Sequence, residues 1–145
     1  MVDKKGEMQL SFGMIFSIIL IVVFIAFAFW AIGKFLNMQK NVQIEQFSAD
    51  LQSDVDKMLS STSGSKEENY TLPKNIESVC FVDREYENLI FHSSKPVDGK
   101  KIEHIDVEKI LEQEEPFCIE NEDNKVSLIL EKNYGESLVT ISKTE

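Results

Sequence analysis

The sequence predicts an α+β protein, a long N-terminal helix followed by a small antiparallel β-sheet head. Three observations predict it. No charged residue stands between Met8 and Gly33. No Pro or Gly interrupts the chain from Lys34 to Ser60. From Thr71 onward the pattern changes to short apolar segments separated by turn signals. The 145 residues suit one domain of ordinary size, with a formal net charge of −10.

The apolar stretch comes first. A helix rises about 1.5 Å per residue, so a hydrocarbon core of about 30 Å needs about 20 apolar residues. The span expected over residues 7–36 meets that length. A secretory leader has a shorter apolar core and a small-residue cleavage site. "AFA" at Ala26–Ala28 fits such a site, but "FWAIGKFL" carries the apolar pattern past it, as an anchor that stays would. Lys4 and Lys5 precede the span and Lys34 and Lys40 follow it, so the basic residues nearly balance. The short N-terminal tail and the acidic remainder tip the expected orientation toward a cytoplasmic N-terminus and an outside head. Trp30 falls where an interfacial indole is expected.

The helix is expected to continue, amphipathic, over residues 37–60. Ile44, Phe47, Leu51, Val55 and Met58 are spaced 3, 4, 4 and 3, which places them on one helical stripe. A head of roughly 75 residues buries too little core by itself, so this stripe is its natural packing partner. The full helix, from about Met8 to Ser60, would be roughly 80 Å long. The polar stretch "SSTSGSKEEN" ends it, and residues 61–70 read as a polar linker before a head over 71–145.

Within the head, "NIESVCFVD", "ENLIFHSS", "PFCIENEDN", "KVSLILEKN" and "SLVTISK" read as strands. "NEDNK" and "NYGES" read as tight turns, which makes the last three strands an expected antiparallel meander. "HIDVEKILEQEE" reads as a short helix and "SSKPVDGKK" as a loop.

Composition narrows the function classes. From Asn37 onward 12 Lys and Arg stand against 23 Asp and Glu, a net charge of −11. That balance argues against nucleic acid and against adsorption to an anionic membrane surface. Cys80 and Cys118 lie in different expected strands. An oxidising exterior would pair them, and a reducing compartment would leave two buried thiols. "NYT" at Asn69 is a glycosylation sequon, expected in the exposed linker. His92 and His104 are the only histidines. "EHID" sets a carboxylate on each side of His104, a set that could bind a metal or move a proton. With no second His nearby and no Cys pattern, the expected place of His104 is the surface. No catalytic motif or cofactor loop is present, so no enzymatic role is expected.

A basic pair, a glycine, then a charge-free helix that turns amphipathic and enters a small head resembles the type IV pilin superfamily, and most closely its archaeal pilins and archaellins. The resemblance covers about the first 60 residues. It implies a leader over residues 1–6, with Lys4, Lys5 and Gly6 matching the leader pattern. A prepilin-type peptidase would cut after Gly6, leaving Glu7 as the new N-terminus. The expected partners are therefore that peptidase, membrane lipid and copies of the chain packed through the apolar helix. Gly13 and Ser17 form a small-xxx-small pair, which lets helices approach closely. The implied role is structural or adhesive, as a cell-surface protein or filament subunit. The alternative is an unprocessed single-pass protein whose outer domain binds or tethers.

Overall fold

A computed structural model describes residues 11–145, which divide into two compact units meeting at Gln39 and Lys40. The expected leader residues Lys4, Lys5, Gly6 and Glu7 lie outside the described residues.

Helix α1, Phe12–Ser60, passes through both units without a break. In the first unit every large apolar side chain from Phe12 to Met38 is between 38 and 85 % exposed. The helix persists there because all backbone groups past its first turn bond within it. Its polar side chain Ser17 also turns inward, donating its Oγ–H to the Gly13 carbonyl at 2.8 Å.

In the second unit the same helix buries Ile44, Phe47, Ser48, Leu51, Val55 and Met58. These are the five stripe residues plus one serine, whose hydroxyl bonds back to the Ile44 carbonyl at 3.1 Å. The stripe packs on six strands: β1 Gly64–Thr71, β2 Ile76–Phe81, β3 Leu89–Ser93, β4 Phe117–Glu120, β5 Lys125–Lys132 and β6 Thr140–Lys143. A short helix α2, Val107–Gln113, precedes β4. The Asp106 carboxylate caps it by accepting the Lys109 N–H at 3.1 Å.

The strands form two antiparallel sheets, ordered β1-β5-β6 and β3-β2-β4. One continuous core joins them, and Phe47 shows how. Its ring meets Tyr70 of β1 edge-on at 5.3 Å and Phe91 of β3 at 6.0 Å, so one helix side chain touches both sheets.

Three expectations need correction. Residues 61–70 are not a linker: most of them form β1, which pairs with β5 over eight registered positions from Gly64–Lys132 to Thr71–Lys125. Six of the eight residues of β1 are exposed and only Tyr70 is buried, so its hydrophobic alternation is nearly absent. Backbone pairing holds it instead. The single expected sheet is two sheets. The meander is correspondingly only half present, because β5 pairs with β6 while β4 pairs with β2. The turn between β4 and β5 does form, with Asp123 and Asn124 at φ 49° and 64°. Glu122 and Lys125 exchange backbone hydrogen bonds of 2.9 and 2.8 Å across it. Two residues of positive φ make a tight reversal, and here it passes the chain from one sheet to the other.

Asn88, buried before β3, does the work of a strand partner. Its amide donates to the Ile102 carbonyl and accepts the Ile102 N–H, both at 2.8 Å. That clamps the segment carrying Ile102 and Ile105 into the core.

Candidate functional site

The feature with no internal explanation is the first unit. From Phe12 to Gly33 the helix carries no charge, and it is long and apolar enough to cross a membrane, with none of that apolar stretch buried among the described residues. Leaving about 25 cal/mol per Å² of apolar surface in water is unfavourable, and a contiguous apolar surface is of the kind that marks a membrane or protein contact. Gly13 and Ser17 stand one turn apart, with the serine hydroxyl already satisfied by the Gly13 carbonyl.

In the head, Cys80 and Cys118 form a disulfide, directly opposite one another in the β2–β4 register with Cα atoms 4.0 Å apart. Cys80 is fully buried and Cys118 half-buried. The bond fastens the four-residue edge strand β4 to the central strand β2. Without a crosslink so short a strand would depend on few ladder bonds.

Asn69 lies on edge strand β1 rather than in a linker. Its side chain is exposed and accepts the Ser127 hydroxyl at 2.5 Å. The neighbouring Tyr70 points the other way. Its hydroxyl, part-buried, donates to Asp54 Oδ2 of α1 at 2.9 Å. Burial, first, then that hydrogen bond and the nearby charges of Asp54, Glu68 and Asp50 hold this phenol far above its usual range.

The sign of the consequence is definite. Above about pH 10 the unfolded chain releases the Tyr70 proton while the folded chain keeps it. The contribution is therefore complete below that pH and is lost as pH rises toward the folded value. Tyr70→Phe is expected to cost about 1 kcal/mol at pH 8. It should also remove one proton's worth of the alkaline decline, roughly 1.4 kcal/mol per pH unit. Urea unfolding at pH steps from about 8 to 12 reads both.

Further polar ties along α1 are not evident from the sequence, because their partners are 48 or more residues away. Gln52 brackets the Glu103 backbone, donating to its carbonyl at 3.3 Å and accepting its N–H at 2.8 Å. Lys100 pairs with Glu45, and His104 meets Asp56 at 3.2 Å. Lys132 closes the helix end by donating to the Leu59 and Ser61 carbonyls at 2.5 and 2.7 Å, which satisfies terminal acceptors.

Among the described residues no three His, Cys, Asp or Glu side chains are grouped to hold a metal ion. His92 lies on β3, and His104 meets Asp56 of α1. No family model, curated protein or solved structure matches the chain.

Proposed function

We propose that the chain is a pilin-like, membrane-anchored cell-surface protein, with a structural or adhesion role. The observation that carries the reading is α1 itself. One unbroken helix is charge-free and exposed over its first 22 residues, Phe12–Gly33, and supplies the core stripe of the head over its last turns. Lipid covers the first part in an anchored monomer. In a filament, copies of the same helix cover one another, and the close approach allowed at Gly13 and Ser17 favours that packing. The disulfide supports a head on the oxidising side of the membrane. There Asn69 is an accessible acceptor for glycan.

Two forms of this reading differ at the N-terminus. A subunit processed by a prepilin-type peptidase begins at Glu7, after removal of the leader that ends in Lys4, Lys5 and Gly6. A tether keeps that segment and leaves its helix in lipid. Mapping the N-terminal peptide of the protein taken from its native envelope distinguishes them. A start at Glu7 is the expected result, and a start at Met1 removes the processed-subunit form.

A further inference from the structure

The end of the head where α1 stops carries a cleft of about 410 Å³. It lies where the turn from α1 into β1, Ser63–Ser65, runs beside the last part of β5 and the tip of the β5–β6 hairpin, Glu131–Tyr134, with Gly64 in register with Lys132 and Ser65 with Glu131. Clefts that hold small organic ligands fall at roughly 300–1,000 Å³ and combine an apolar surface with a few fixed polar groups. This one has both.

The apolar surface is Tyr134. Its ring is 84 % exposed and contributes nothing to the core. Its backbone, however, is held firmly. Gly135 takes φ +85°, which lets the tip close, and Glu136 N–H bonds to the Asn133 carbonyl at 3.1 Å. The Glu136 carboxylate accepts the Asn133 N–H at 3.3 Å and pairs with Lys109. Beside it, the Lys132 bonds to Leu59 and Ser61 hold the α1–β1 turn in place. A large amphipathic ring on a fixed turn loses little entropy when it binds.

The polar groups offered to a ligand are the hydroxyls of Ser63 and Ser65 and the carboxylate of Glu131, since the Lys132 ammonium is already bonded to Leu59 and Ser61 and the Asn133 amide to Glu136. This mixture of donors and acceptors beside an aromatic face suits a ligand with many hydroxyls and an apolar C–H face. Charge narrows the class further. A net −11 from Asn37 onward repels polyanions, so nucleic acids and sulfated or uronic glycans are disfavoured.

We propose that this cleft binds a neutral oligosaccharide, with Tyr134 as the stacking platform and the Ser63–Ser65 turn and Glu131 bonding its hydroxyls. The site belongs to the head alone, so binding does not depend on how α1 is anchored. The anchoring reading only determines where such a glycan would be met.

The test is saturation-transfer NMR on the full chain in lipid nanodiscs. The probes are cellobiose, mannobiose and N,N′-diacetylchitobiose, with a chondroitin disaccharide as the anionic comparison. At least one neutral probe should receive saturation and the anionic one should not. Tyr134→Ala should lower the transfer at least fivefold, Tyr134→Phe should retain it, and Tyr86→Ala should leave it unchanged. Tyr86 is the control because it is equally exposed, at 84 %, on another loop. Silence from all three neutral probes overturns the proposal, as does transfer that survives Tyr134→Ala or falls as far in Tyr86→Ala. A negative result leaves the anchoring reading intact, since the nanodisc sample reports only on the head.

Discussion

Phe47→Ala is expected to destabilise the head by about 3–5 kcal/mol, the range for truncating a large buried aromatic. Phe47 is 2 % exposed and sits at the junction of α1 with both sheets. Removing the ring leaves a void lined by Tyr70 and Phe91, and those two residues belong to different sheets that cannot both collapse into it. A typical domain is stable by only about 5–15 kcal/mol, so the loss is a large share of the total. Denaturant unfolding followed by near-UV dichroism measures it. Val42→Ala, on the same helix at 56 % exposure, should change stability by less than about 0.5 kcal/mol. Equal losses from the two variants would show that α1 is not part of the head's core.

The double variant Cys80→Ser, Cys118→Ser is expected to lose about 3–4 kcal/mol. The bond closes a separation of 38 residues, and constraining a loop of that size in the unfolded chain accounts for roughly this amount. The loss should appear equally when the native chain is unfolded in the presence of a thiol reductant. β4 should open first, since it is a four-residue edge strand joined to the rest of its sheet only through β2. Hydrogen exchange at Phe117–Glu120 would then rise before exchange at Val126–Leu130. An unchanged unfolding midpoint in the variant would contradict this role for the disulfide.

The two halves of this chain were legible in the sequence to different degrees. The helix was, because a charge-free run and a 3-4-4-3 apolar spacing leave no competing pattern, and all five stripe residues are buried. Strands β2 to β5 were legible because each carries two or more apolar residues that enter the core, and β6 because Ile141 does so beside the buried Val139 that precedes the strand. β1 was not, since a strand reading "GSKEENYT" shows a single buried side chain and takes its structure from β5, about 60 positions away. Sheet membership was hidden for a similar reason. A two-residue turn at Asp123 and Asn124 reads the same in sequence whether its flanking strands stay in one sheet or separate into two. The disulfide was an alternative in the sequence and a cross-strand pair in the fold, because only register places Cys80 opposite Cys118. The cleft at Tyr134 left no signal beyond the turn itself. Its lining comes from two paired segments nearly 70 residues apart in sequence.

The central claim is that α1 holds the chain in the envelope while the head faces outside. Labelling intact cells with a membrane-impermeant amine reagent, then mapping the modified lysines in the sedimented envelope, tests it most directly. Lys66, Lys74, Lys95 and Lys125 are all exposed on the head. The account predicts that these four are modified before lysis and that the chain sediments with the envelope. Modification only after lysis, or a chain recovered in the soluble fraction, would contradict it.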